Sequence, residues 1–210
     1  MIFLSIALSA VLAAVSPWAI RRVAAEAMTR GWIVAVPLAM LIAGVLSWSV
    51  MRVTTGSIAA AVAMGVVGAV LAVQLVIDLA VRRLPRIFSY SGLLVFVALM
   101  AFVPADQASG LIGALIGAFA MTAVTAAFVV LSRGSLGLGD LHLAPLLGAL
   151  VGWFAPTGIL SAWVITALAG ASVTLIGLAT RRLERRSTVP YGPFLVFGAT
   201  VAVVISAVRR

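Results

Sequence analysis

The sequence of 210 residues lacks cysteine and lysine, and it contains one histidine and five acidic residues. The missing cysteines exclude disulfides, cysteine nucleophiles and thiolate zinc sites. One histidine and so few carboxylates are also too few ligands for a catalytic zinc ion, so we expect neither a metal nor another cofactor. Charged residues make up 9% of the chain, against about 25% in an average soluble domain. A soluble globular protein is therefore excluded.

Hydrophobic residues make up 64% of the chain, in runs near the roughly 20 residues that cross a hydrocarbon core. These runs predict eight spans, at 2–20, 32–50, 57–79, 89–104, 110–131, 141–155, 158–180 and 193–208. The sixth span is short and contains Pro145, so it and the seventh form either two spans or one re-entrant hairpin. We expect an all-α, polytopic membrane protein with about eight helices in one bundle. Residues 1–210 then form a single transmembrane domain, with a motif-bearing core at about 57–210.

The basic residues predict the orientation in the membrane. All 14 are arginines, and most follow or precede an apolar run, which is a topology pattern rather than a nucleic-acid surface. With eight spans, one set of alternate loops holds Arg21, Arg22, Arg30, Arg82, Arg83, Arg86, Arg133, Arg181, Arg182, Arg185 and Arg186. The other set holds Arg52, Arg209 and Arg210. Basic loops stay cytoplasmic, which predicts an inner (plasma) membrane protein with its N-terminus outside. These arginines also suit anionic lipid headgroups, and no nucleic-acid partner is expected.

Small residues predict where helices approach each other. Gly113 and Gly117 lie four residues apart in one predicted span, and Gly148 and Gly152 do so in the next. Glycine at this spacing lets two helix backbones come close together. We expect these residues to serve packing rather than chemistry.

Two acidic residues, Asp78 and Asp140, lie in or directly against apolar segments. The other three occupy predicted loops and are expected to be solvated: Glu26, Asp106 and Glu184. A charge at membrane depth costs a few kcal/mol, so it is kept for a function or paired with a partner. One such partner for Asp78 is Arg82, one helical turn later. Two neighbouring carboxylates can instead titrate apart, so that one acts as general base and the other as general acid on a water molecule.

Three stretches of the chain carry a family resemblance. They are Asp78-Leu-Ala-Val-Arg-Arg-Leu-Pro85, Gly137-Leu-Gly-Asp-Leu-His-Leu143 and Val189-Pro-Tyr-Gly-Pro-Phe-Leu195. In this order they resemble the type IV prepilin peptidases, membrane aspartyl proteases with a Gly-x-Gly-Asp motif. The glycines of that motif let the backbone turn and let an extended substrate come close. The residues that match the motifs, and are therefore candidates for support or substrate binding, are Pro85, Gly137, Gly139, His142, Pro190, Gly192 and Pro193.

The resemblance implies an aspartic endopeptidase in which Asp78 and Asp140 are the catalytic residues. Its substrate would be a type IV prepilin-like precursor, cut at the cytoplasmic face to remove the leader peptide before pilus assembly or protein secretion. Arg86 stands where the family usually has asparagine, and His142 where it usually has lysine. The chain resembles the short members without a cysteine-rich insert, which leaves methylation of the new N-terminus open.

Other functions share some of these features. A small proton-coupled transporter would use Asp78 and Asp140 as a proton relay. It would be expected to show inverted repeats and midplane carboxylates, whereas here the carboxylates lie near the ends of predicted spans. A presenilin-like protease would use the same Gly-x-Gly-Asp chemistry on a substrate cut within its membrane helix. The precursor's identity and the oligomeric state stay open.

Overall fold

A computed structural model describes most of the chain from residue 58 onward and part of the segment before it. The described residues are 38–39, 41–45, 47, 49, 58–81, 84–101, 109–132, 137–154, 157–181, 189 and 191–208. Predicted span 2–20 lies outside these residues, and span 32–50 lies within them only in part. Most of the predicted loop arginines also lie outside the described residues.

The described residues form helices and contain no strand. In chain order the helices are α1 (Ile58–Val81), α2 (Arg86–Met100), α3 (Ser109–Leu131), α4 (Leu138–Phe154), α5 (Gly158–Ala179) and α6 (Gly192–Val208). The described positions between 38 and 49 are also helical. The prediction of an all-α protein is therefore confirmed for this part of the chain.

Within the described residues, three helices are long and apolar enough to cross a membrane, over Ala60–Asp78, Gly110–Leu131 and Gly158–Ala179. The shorter apolar helices lie at Arg86–Met100, Leu138–Phe154 and Gly192–Ser206. These lengths and compositions make the chain a membrane protein. The count of eight spans goes beyond them and stays a prediction.

The chain divides into two compact units, Met1–Leu111 and Ile112–Arg210. In the first unit, α1 packs along α2 and is buried over most of its length. A helix that is apolar all round is expected to be enclosed in this way. The preceding helical segment approaches α1 at Gly68, where an added Cβ would lie 2.9 Å from the Ala43 carbonyl oxygen. A glycine is therefore needed at this crossing.

The second unit is built around α4, which packs against both α5 and α6. From Leu143 to Phe154 every residue of α4 except Pro145 is buried. The helix α3 also meets α4, because an added Cβ on Gly117 would lie 2.8 Å from the Gly152 Cα atom. An added Cβ on Gly148 or Gly152 would likewise meet the carbonyl groups of α3. The predicted glycine packing is thus confirmed.

The helices α3 and α5 each leave large apolar side chains exposed. On α3 these are Ile112, Leu115, Ile116, Phe119, Phe128, Val130 and Leu131. On α5 they are Leu160, Val164, Leu168, Val173, Leu175 and Ile176. An apolar surface of this kind would be unfavourable in water and is the surface that a lipid bilayer accommodates.

Candidate functional site

Asp78 lies three residues before the end of α1 and is buried, with 6% of its surface exposed. Its Oδ2 atom has no hydrogen-bond partner among the described residues. Arg82, the alternative ion-pair partner, lies outside them. A buried carboxylate oxygen without a donor is costly, which makes Asp78 a candidate for a functional role.

Two further buried polar residues, which were not predicted from the sequence, lie in the same unit as Asp78. Gln74 precedes it by one helical turn on α1 and is 0% exposed, and Ser89 on α2 is 1% exposed. The Ser89 hydroxyl donates a hydrogen bond to Gln74 Oε1 at 3.3 Å. The Gln74 Nε2 atom has no acceptor within the part of the chain that is described. The signal available in the sequence was a single amide four residues before the aspartate in an otherwise apolar run.

Asp140 lies in the first turn of α4 and is 5% exposed. The Gly137 backbone N–H donates to its Oδ2 atom at 3.2 Å, while the Asp140 backbone N–H donates to the Gly137 carbonyl at 3.1 Å. A side chain that reaches back to the residue before the helix in this way forms half of a capping box. The helix dipole also favours an acidic residue here. Asp140 therefore organises the start of α4 besides any chemical role.

Tyr191 is a second residue of interest near Asp140. It is half-buried and lies directly before α6, with its ring 6.2 Å from the Phe194 ring in an edge-on arrangement. Burial raises the pKa of Tyr191, and the negative charge of Asp140 raises it further. Tyr191 falls within the third motif, but it is not among the site residues predicted from the sequence. The structure thus associates the second and third motifs within one unit.

The other motif residues occupy helix starts. Pro85 precedes α2 with an extended backbone, which suits its fixed φ angle and its missing N–H. Gly139 and His142 are half-buried in the first turns of α4. Gly192 and Pro193 are the first two residues of α6, where proline is well tolerated.

Pro190 lies outside the described residues. Gly137, one of the predicted support residues, donates a hydrogen bond to the side chain of Asp140. The two aspartates belong to different units, Asp78 to the first and Asp140 to the second. The first contains Asp78 with Gln74 and Ser89, and the second contains Asp140 with Gly137 and Tyr191.

Comparison of the chain with protein-family models, curated protein sequences and solved structures finds no significant match.

Proposed function

We propose that the protein is a membrane aspartyl endopeptidase that removes the leader peptide of a type IV prepilin-like precursor. The observation that carries the proposal is that Asp78 and Asp140 are both buried and both lie near the end of an apolar helix. Their motifs resemble those of the prepilin peptidases, and this resemblance supplies the substrate class. No metal ion takes part in the proposed reaction.

The proposed chemistry requires the two carboxyl groups to share one water molecule. One carboxylate removes a proton from the water, whose oxygen attacks the carbonyl carbon of the scissile peptide bond. The other carboxyl group, still protonated, donates to the carbonyl oxygen. The C–N bond then breaks: the first carboxyl group gives the proton that it took from the water to the leaving amine, and the second takes a proton back from a hydroxyl group of the tetrahedral intermediate. Burial assists this division of roles, because neighbouring carboxylates in a low dielectric resist ionising together.

The proposal includes eight spans, an outside N-terminus and an active site at the cytoplasmic face. The arginine distribution supports this arrangement, since it concentrates positive charge in alternate loops. The same arrangement suits the substrate. A basic leader that precedes a hydrophobic segment would meet the enzyme at the inner membrane boundary.

The test is co-expression of the chain with a prepilin precursor, followed by mass spectrometry of the precursor's N-terminus. We expect Asp78→Asn and Asp140→Asn each to lower the cleavage rate about 100-fold or more, the usual cost of losing a general acid or base. Asp106→Asn, which neutralises a predicted loop carboxylate, is the matched control and should cleave normally. Cleavage at the wild-type rate by either catalytic-site variant would refute the paired-aspartate mechanism.

A proton relay is the second candidate, and the observation that favours it is the Asp78 Oδ2 atom without a hydrogen-bond donor among the described residues. Buried carboxyl groups in membrane helices are typical of proton pathways. Proteoliposomes containing a pH-sensitive dye separate the two functions. Proton flux that Asp78→Asn abolishes, together with an uncut precursor, would replace the peptidase with a transporter.

A further inference from the structure

Gln74 is a buried polar residue without a role in the peptidase chemistry proposed above. It lies in the middle of an apolar stretch of α1, and its side chain is 0% exposed. An amide without all its hydrogen bonds in such a place is destabilising. Buried polar groups that remain in proteins are usually connected to others, so the partners of Gln74 indicate its purpose.

The orientation of the Gln74 amide is set by α2. Its Oε1 atom accepts from the Ser89 hydroxyl at 3.3 Å, and both residues are buried. With the oxygen held in this way, Nε2 is left as a donor that has no acceptor among the described residues. The Gln74 amide oxygen therefore has a hydrogen-bond partner, whereas its Nε2 atom has none among the described residues.

Asp78 offers the complementary group. It follows Gln74 by four residues on α1, a spacing at which side chains lie along the same face of a helix and at which Gln–Asp hydrogen bonds form. Its Oδ2 atom is a buried acceptor for which no described residue supplies a donor. The terminal torsions of both side chains are soft, so the amide and the carboxyl group can each rotate at little cost.

We propose that Gln74 is a positioning residue for Asp78. Its Nε2 atom donates a hydrogen bond to the Asp78 carboxyl group, and the Ser89 hydroxyl fixes the orientation of the Gln74 amide. This assignment of a role in cleavage rests on the proposed peptidase function. The hydrogen bond fixes which carboxyl oxygen faces the water and the substrate. It also ties the geometry of the proposed catalytic residue to the packing of α1 on α2.

The first measurement is the cleavage rate of Gln74→Met, which keeps the length of the side chain and removes the amide. A hydrogen bond to a charged group contributes about 1.5–3 kcal/mol, so we expect kcat to fall about 10- to 100-fold with little change in KM. Thr125→Val is the matched control. Thr125 is equally buried, but its hydroxyl donates to the Met121 carbonyl of its own helix at 2.7 Å.

Ser89→Ala tests the proposed order of action by a milder change. Because Ser89 acts through Gln74, we expect a smaller loss of kcat than in Gln74→Met. The double variant should be no slower than Gln74→Met alone, since coupled positions are not additive. Independent, multiplying losses in the double variant would overturn the arrangement. This variant also serves if Gln74→Met does not fold.

Infrared spectroscopy separates this inference from the peptidase function itself. The carboxyl band that disappears in Asp78→Asn should shift in Gln74→Met and stay in place in Thr125→Val. A shifted band without any peptidase activity would leave the Gln74–Asp78 contact standing and refute the proposed function. An unshifted band and a wild-type kcat in Gln74→Met, in an enzyme that still needs Asp78, would overturn the inference alone.

Discussion

At the scale of single residues, the pKa of Tyr191 reports on the charge of Asp140 and can be measured without a substrate. Burial and, secondly, the charge of Asp140 raise the pKa of this phenol above its ordinary value of 10.0. We expect Asp140→Asn to lower the titration midpoint of Tyr191, although burial keeps it above the ordinary value. The measurement is tyrosinate absorbance in a Tyr90→Phe background, because the chain has two tyrosines. An equal midpoint with and without Asp140 would show that the carboxylate does not act on this ring.

The raised pKa of Tyr191 also makes the free energy of unfolding depend on pH. As the pH rises past 10.0, Tyr191 in the unfolded chain loses its proton first, whereas the folded chain retains it. The unfolded state then binds fewer protons, so the free energy of unfolding falls with increasing pH. Tyr191→Phe should remove this contribution from the alkaline range.

The residues of the site differ in how far the sequence could identify them. Asp78 and Asp140 stood out because carboxylates are rare in this chain and costly in apolar segments. Gln74 is uncharged and Ser89 resembles any polar residue near a helix start, so their contact required the pairing of α1 with α2. Their role depends on an arrangement in space that spacing along the chain does not specify.

At the scale of helices, the close contact between α3 and α4 should be sensitive to a single methyl group. In Gly117→Ala the new Cβ would lie 2.8 Å from the Gly152 Cα atom, so the helices must move apart. We expect a loss of about 1–3 kcal/mol, the usual cost of overpacking. Thermal unfolding in detergent measures it, with Ala123→Val as control, because Ala123 lies on the exposed side of α3. Equal unfolding temperatures for both variants would contradict the contact.

The apolar runs predict where the helices lie, but they predict the first residue of a helix less accurately. The predicted spans 57–79 and 110–131 agree closely with α1 and α3. The helix α2 begins at Arg86 and α4 at Leu138, each three residues before its predicted start at 89 or 141. Counting apolar residues treats Arg86 and Asp140 as interruptions. A helix can nevertheless begin with charged residues, and an acidic group is favoured in its first turn.

At the scale of the whole molecule, the arginine pattern makes a prediction about sidedness that the missing cysteines make easy to test. Gln107 lies in a predicted outer loop, and Ser132 follows α3 on the predicted cytoplasmic side. We expect a membrane-impermeant maleimide to label Gln107→Cys in intact cells and Ser132→Cys only after permeabilisation. The unmodified chain, which has no thiol, is the blank. The reverse labelling would invert the proposed orientation.

The burial of α4 on nearly all sides has a consequence for biosynthesis. This helix of 17 residues leaves the ribosome before α5 and α6, yet it packs against both. While the chain is being made, the surfaces of α4 that face these partners remain uncovered. Asp140 then lacks the neighbourhood of Tyr191, which precedes α6. A nascent chain therefore carries the Asp140 carboxyl group before the residues that surround it in the folded protein have been synthesised.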